Sequence, residues 1–285
     1  MADKTKIAIA TTAADLRRLS EPWRKKSATI ALVPTMGALH GGHMALVQAA
    51  AARAEHVVVS IFVNPAQFAP HEDFARYPRD FESDRAKLES LGKVDLIYAP
   101  ETREIYPDGF ATKLIVEGPG SGLESDFRPH FFPGVATVVA KLFLHSRPDF
   151  ATFGEKDYQQ LLVVKRLVKD LDLGLEILGV PTVRESDGLA LSSRNAYLTE
   201  AQREIAGHLN KVLREVAERA KAGVSIPKAE AEGAAALITA GFDRVDYVAI
   251  RNAETLAPLA ALAGPARVLA AGRIGSVRLI DNRAA

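Results

Sequence analysis

The chain has 285 residues, long enough for one large domain or two modest ones with a real apolar core, so stability requires neither a disulfide nor a metal staple. It has no cysteine, which excludes disulfides, zinc ribbons, thiol catalysis and iron–sulfur ligation. Lys plus Arg number 36 and Asp plus Glu 35, and the resulting net charge of +1 leaves no electrostatic footprint for a nucleic-acid partner. The one basic run, WRKKS (Trp23 to Ser27), reads as a solvated helix end. No apolar run reaches the roughly 18 residues of a membrane span, so no membrane partner and a cytoplasmic location are expected.

The opening stretch MADKTKIAIATT lacks a long apolar core and is expected to form a first strand rather than a signal peptide. KIAIATT, TIALVPT, HVVVSIFVN, VDLIYAP and LEILGVP are short continuous apolar runs bounded by turn residues, the pattern of strands buried on both faces. Helical segments lie between them. GVATVVAKLFLHSRP closes before Pro148, and DYQQLLVVKRLVKDL carries an apolar stripe of Leu161, Val164, Val168 and Leu171. Asp157 is its expected N-cap, and Gly174 lies beyond its end. Between these elements, Val116 to Gly134 is the longest non-periodic stretch, read as a functional loop.

Strand–helix alternation of this kind predicts an α/β fold with a doubly wound parallel sheet, binding its ligand beyond the carboxyl ends of the strands. After about Pro181 the pattern changes. Thr199 followed by Gln202 marks a capping box at the start of a long helix, an Ala-rich helix follows, and VDYVAIRN, ARVLAAG and SVRLIDN read as strands. The expected division is therefore residues 1–181, which bind nucleotide and substrate, and 182–285, a smaller α+β domain closing over the active site.

Several stretches carry chemistry. His40-Gly41-Gly42-His43 stands where an apolar strand turns into a helix. As a metal site it is poor, since two histidines three apart have no third ligand nearby in sequence. As a phosphate site it makes sense, because a helix N-terminus offers free N–H groups and imidazoles can donate to phosphate oxygens. An ordinary Gly-rich turn is the remaining reading. It is neither a Walker A loop nor a Gly-x-Gly-x-x-Gly fingerprint. FVNPAQF ends another strand with two neutral amides, Asn64 and Gln67, which either cap a turn or bind hydroxyls and carboxylates. FGEKDYQQ repeats the strand–turn–helix theme with Lys156 at the helix start and Gln160 one turn in. ESDGLALSSRN supplies Ser192, Ser193 and Arg194, hydroxyl donors and a planar cation suited to a triphosphate. In RYPRDFESD, the acids Asp80, Glu82 and Asp84 begin a helix, and Asp84 is the candidate to help hold Mg2+ on a nucleotide.

PTMGALHGGH, FVNPAQF, RYPRDFESD, FGEKDYQQL and DGLALSSRN, in this order and spacing, closely resemble the pantothenate synthetase (pantoate–β-alanine ligase) family across nearly the whole chain. The resemblance implies a Rossmann-like N-terminal domain, a smaller C-terminal domain, a homodimer, and ATP-dependent condensation of pantoate with β-alanine through a bound pantoyl adenylate, releasing AMP and pyrophosphate. It implies that Met36, His40, His43, Gly154, Lys156, Asp157, Val183, Leu191, Ser192, Ser193 and Arg194 line the ATP site, with His43 catalytic. Gln67 and Gln160 would hold pantoate, with Asn64 and Arg128 also on the substrate side. The family pattern Arg-Pro-Gly-His-Phe-x-Gly-Val is broken here, where the chain reads RPHFFPGV: His130 stands at the glycine position and Phe131 at the histidine position. A different nucleotidyltransferase would share the histidine motif without needing Gln67 and Gln160. A non-catalytic nucleotide-binding regulator would keep the glycines and tolerate loss of His43.

Overall fold

The structure, a computed structural model, describes residues 6–70 and 72–285; Met1 to Thr5 of the expected first-strand stretch lie outside the described residues. Six strands, β1 (Ala8–Ala10), β2 (Ile30–Thr35), β3 (His56–Ile61), β4 (Leu96–Tyr98), β5 (Phe150–Gly154) and β6 (Glu176–Val180), form one parallel sheet in the order β1-β4-β3-β2-β5-β6. Helices α1 (Ala13–Lys25), α2 (Gly41–Ala51), α3 (Phe81–Leu91), α4 (Thr102–Ile105), α5 (Glu124–Phe127), α6 (Phe131–Ser146) and α7 (Tyr158–Asp170) fill the connections. Then come α8 (Glu200–Lys221), α9 (Ile226–Thr239) and three strands, β7 (Arg244–Asn252), β8 (Ala266–Ile274) and β9 (Val277–Ala284), paired antiparallel in that order.

The chain divides into two compact units. The first comprises residues through Val116 together with Arg128–Gly154 and Val163–Val180; the second comprises Glu117–Phe127, Glu155–Leu162 and Pro181–Ala285. In the first, the central strands are buried on both faces. Ala31, Leu32, Val33, Val59, Leu96 and Ile97 are each no more than 1% exposed, which is why their sequences read as unbroken apolar runs. From β2 the chain steps to β3 on one side while β5 pairs with β2 on the other, so the strand order reverses between β2 and β5, where sheets of this class leave a crevice.

In the second unit, α8 and α9 pack their apolar stripes, including Leu209, Leu213, Val216 and Leu237, against Val248, Ile250, Val268 and Ile274 of the small sheet. The capping box of α8 forms as expected, with Gln202 N–H donating to Thr199 Oγ1 and Thr199 N–H to the Gln202 side chain.

Three local expectations change. A sixth strand, β5, joins the five apolar runs; only its end was read, in the strand–turn–helix of FGEKDYQQ, and the polar Thr152 stands at its centre. Leu171 falls just past the end of α7 and is 48% exposed, whereas Leu161, Val164 and Val168 of the same stripe are buried. The non-periodic stretch is partly ordered: a 3-10 turn at Gly118–Gly120, the short α5, and the first turn of α6, which begins at Phe131 ahead of Gly134. Pro133 is tolerated there because first-turn N–H groups have no intrahelical partner anyway.

Candidate active site

The turn from β2 into α2 leads into a helix N-terminus of the kind that suits an anion. His40 is the extended N-cap of α2, and no acidic residue occupies the helix's first turn. The two histidines cap the helix reciprocally. Gly42 N–H donates to His40 Nδ1 at 3.1 Å, and His40 N–H donates to His43 Nδ1 at 3.2 Å. The rings lie 4.1 Å apart between centroids. Because both Nδ1 atoms accept, each neutral ring carries its proton on Nε2, so each imidazole is a donor at the edge away from the backbone.

Ahead of the cap, the chain makes a tight turn with positive φ at Gly37 (81°) and at Ala38 (51°). Asp84 holds that turn. It is 2% exposed, and its two carboxylate oxygens accept from Ala38 N–H at 2.8 Å and Leu39 N–H at 2.7 Å. A Cβ at position 37 would stand 2.9 Å from Asp84 Oδ2, so both the backbone angle and the close approach require glycine. The carboxylate expected to hold Mg2+ thus has a structural task in the turn, and Lys87 Nζ lies 3.8 Å from its Oδ1. Among the described residues no group of three or more His, Asp or Glu is arranged to hold a metal ion.

At the end of β3, a 3-10 turn (Pro65–Gln67) presents the second amide. Asn64 is 1% exposed and uses all four of its hydrogen-bonding positions. Its Oδ1 accepts from Ala66 N–H at 3.2 Å and from Tyr106 O–H at 2.7 Å; its Nδ2 donates to Gly134 O at 3.2 Å and to Gln67 Oε1 at 3.1 Å. Direct substrate contact by Asn64, expected from the motif, is therefore replaced by a positioning role. Gln67 Nε2 lies 3.0 Å from Met36 Sδ, so an ATP-site candidate and a pantoate-site candidate are brought together. Gly134 permits this packing, since a methyl there would collide with the Ala66 carbonyl.

Arg128, expected on the substrate side, also braces this region. Its guanidinium grips Glu72 through Nε–Oε1 at 2.8 Å and Nη2–Oε2 at 2.7 Å, donates to Gln67 O at 3.2 Å, and lies 4.0 Å over the Phe131 ring. Burial opposes the Glu72 charge, but the Arg128 hydrogen bonds and charge prevail and hold its carboxyl below the usual range. The altered RPHFFPG pattern thus has a local use. Phe131 is the surface on which Arg128 stacks, and His130 Nε2 sits 3.8 Å from Glu72 Oε1.

In the second unit, Lys156 and Asp157 lie on a 3-10 turn (Glu155–Asp157), with Lys156 Nζ 3.7 Å from Asp157 Oδ1. That turn is held by β9: Asn282 Nδ2 donates to Glu155 O at 2.9 Å and to Lys156 O at 2.8 Å. Gln160 is the third residue of α7, while its neighbour Gln159 is buried, with Oε1 accepting from Glu124 N–H at 3.1 Å and Nε2 bonded to the Pro119 and Gly122 carbonyls. Val183 and Leu191 meet across a narrow hairpin, Leu191 N–H donating to Val183 O at 3.0 Å. Ser192 then caps the 3-10 turn Ser193–Tyr197, which carries Ser193 and Arg194. Gly154 ends β5 in the first unit. Sequence reasoning missed Tyr106, Glu72 and Asn282, because each acts on a residue remote in the chain and none lies in a motif.

The family model for pantoate-beta-alanine ligase matches residues 8–284. The chain belongs to the pantoate–β-alanine ligase family. It is accordingly a ligase that joins pantoate to β-alanine, giving pantothenate. A pantothenate synthetase from Nitrobacter hamburgensis is 56% identical over 277 residues, spanning 96% of this chain and 97% of that one. The crystal structure of pantothenate synthetase from Thermus thermophilus is 50% identical, with a TM-score of 0.89 over 97% of this chain and 99% of its own. The crystal structure of the ligase from Francisella tularensis, complexed with β-γ ATP and β-alanine, is 35% identical, with a TM-score of 0.82 over 97% of each chain.

Proposed function

We propose that this ligase works in two half-reactions. A pantoate carboxylate oxygen attacks the α-phosphorus of ATP, forming the acyl–phosphate bond of pantoyl adenylate and expelling pyrophosphate. The β-alanine amine then attacks the activated carbonyl, forming the amide; AMP leaves and the amine proton passes to solvent. A free carboxylate is a poor electrophile, so activation must come first, and the protein contributes positioning and charge stabilisation.

The observation that carries this reading is the reciprocal cap of α2. With both Nδ1 atoms accepting from backbone, His40 and His43 offer Nε2–H donors beside a helix N-terminus, arranged before charge develops on the phosphates. His43 is assigned the catalytic donor. Lys156 and Arg194 supply cationic charge for the triphosphate, with Ser192 and Ser193 adding hydroxyls. Gln67 and Gln160 hold pantoate as neutral amides, which leaves its carboxylate nucleophilic where a tight arginine pair would not. The β-γ ATP named with the 35%-identical Francisella tularensis ligase supports ATP as the activating substrate. Magnesium is assigned to ATP's own phosphate oxygens, since Mg2+ takes few protein carboxylates and Asp84 is engaged elsewhere.

Incubation with ATP, pantoate and β-alanine tests the reaction: AMP and pyrophosphate are the expected products, and ADP with phosphate would overturn it. Labelled pyrophosphate should exchange into ATP with pantoate present and β-alanine absent. Exchange that required β-alanine would indicate a concerted route instead.

A further inference from the structure

An amide side chain can present either its oxygen or its NH2 to a ligand, and the two recognise opposite partners. At Gln67 the choice is made by groups that cannot reverse. The Gly134 carbonyl only accepts, so the Asn64 atom facing it, at 3.2 Å, is the Nδ2 donor. The Ala66 N–H only donates, so the atom facing it, also at 3.2 Å, is Asn64 Oδ1. These two backbone groups fix the Asn64 amide independently of any ligand. Tyr106 O–H must then donate to Asn64 Oδ1, at 2.7 Å, and the second Nδ2 proton meets Gln67 Oε1 at 3.1 Å. One of the two acceptor positions of Gln67 Oε1 is thereby taken, and its Nε2 lies next to the weakly accepting Met36 sulfur at 3.0 Å.

We infer that Tyr106 is a positioning residue for the acid substrate: through Asn64 it holds Gln67 with its NH2 toward the ligand, so that this site takes an acceptor such as a carboxylate or hydroxyl oxygen. The inference rests on Gln67 as a pantoate contact, proposed above. Tyr106 is suited to the task. It follows α4, its N–H bonds Thr102 O at 2.7 Å, and its ring packs between Phe62 and Phe110, at centroid distances of 6.4 and 5.2 Å. Burial pushes its phenol up to about 12, so it remains an O–H donor throughout the neutral range. Without that donor, Asn64 Oδ1 keeps only one partner, the Ala66 N–H, and the amide pair loses one of the bonds that opposes its reorientation.

The experiment is a double-mutant cycle on the intact enzyme, with KM and kcat measured for each substrate in wild type, Tyr106→Phe, Gln67→Leu and the double variant. Phe keeps the ring packing, and thermal melting of each variant checks the fold. Tyr106→Phe is expected to raise the pantoate KM about tenfold, the worth of one hydrogen bond, with KM for ATP and β-alanine within about twofold of wild type. In the Gln67→Leu background the same change is expected to add nothing, because Tyr106 acts only through that amide. Asn64→Asp supplies a second variant. Its ionised carboxylate cannot donate to Gln67 Oε1, so a larger rise in pantoate KM than for Tyr106→Phe is expected. If Gln67→Leu raises the pantoate KM while Tyr106→Phe leaves it unchanged, or if the two effects multiply, the inference falls and the pantoate reading stands. If Gln67→Leu leaves the pantoate KM unchanged, that reading falls first.

Discussion

His40 and His43 each accept a backbone N–H at Nδ1, and this sets what each substitution should do. His43→Ala removes a donor aimed at developing phosphate charge and also the acceptor for His40 N–H. Single-turnover adenylate formation should slow by roughly a hundredfold or more, with ATP affinity falling less than rate. Near-normal single-turnover rates would refute the role.

Asp84 makes a separate prediction. In Asp84→Asn one of the two N–H groups of Ala38 and Leu39 would face an NH2 donor instead of an oxygen. A cost of about 1–3 kcal/mol in chemical denaturation is expected, together with a raised ATP KM. Unchanged stability would show that the turn holds itself. These residues also mark what the sequence could and could not convey. The histidines, Lys156 and Gln67 were legible as candidates because each stands at a turn or helix start with chemistry suited to an anion or an acid. Asp84, Asn64 and Arg128 were legible as polar residues in the right motifs, but their partners lie 45, 70 and 56 positions away, and nothing local says whether a side chain faces a ligand or a neighbouring loop.

Among the elements, α6 carries the most consequences. Its first turn packs against the Pro65–Gln67 turn through Gly134, so Gly134→Ala forces a methyl onto the Ala66 carbonyl and within 2.9 Å of Gln67 N. Overpacking of about 1–3 kcal/mol is expected, and because the displaced turn carries Gln67, the pantoate KM should rise as well. Unaltered kinetics would argue against that coupling.

Toward its other end, α6 places His145 beside Tyr98, the last residue of β4, with the Tyr98 O–H at 2.9 Å from His145 Nδ1. Burial, then the nearby Lys141 charge, lowers the His145 pKa; Glu104 acts in the opposite sense and Arg17 adds to the lowering. A histidine depressed in the folded state binds fewer protons there than when unfolded. Its contribution is therefore fully present above the unfolded value of 6.5 and is lost as pH falls from there through the lowered folded value. Melting temperature should drop below pH 6.5 in wild type and drop less in His145→Gln; identical acid limbs would refute this. Elements were the most readable scale, since apolar runs and caps announce most of the fold. β5 was legible only through its end, where FGEKDYQQ turns from strand to helix, and Leu171 escaped because helix ends are decided by tertiary contacts.

At the scale of the whole molecule, chemistry-bearing residues fall in both compact units. In the second unit, Arg278 ties strand β9 to α5 through a bidentate pair with the buried Glu124, at 2.7 and 2.8 Å, and reaches Asp246 of β7 at 2.7 Å. Lys156→Ala is expected to impair ATP use without unfolding this unit, because the Lys156 contact held by β9 is made through its backbone carbonyl. Loss of cooperative unfolding in that variant, or unchanged ATP kinetics, would refute the assigned role.

The grip of Asn282 on the Glu155 and Lys156 carbonyls also has a consequence in time. The lysine turn is translated 126 residues before the asparagine that completes it. While strand β9 is still inside the ribosome, those two carbonyls lack the Asn282 amide. The reciprocal bonds of the α2 cap, by contrast, join residues two and three positions apart, so their partners are translated together. A chain that stops short of Asn282 would therefore lack the two hydrogen bonds that tie the lysine turn to β9.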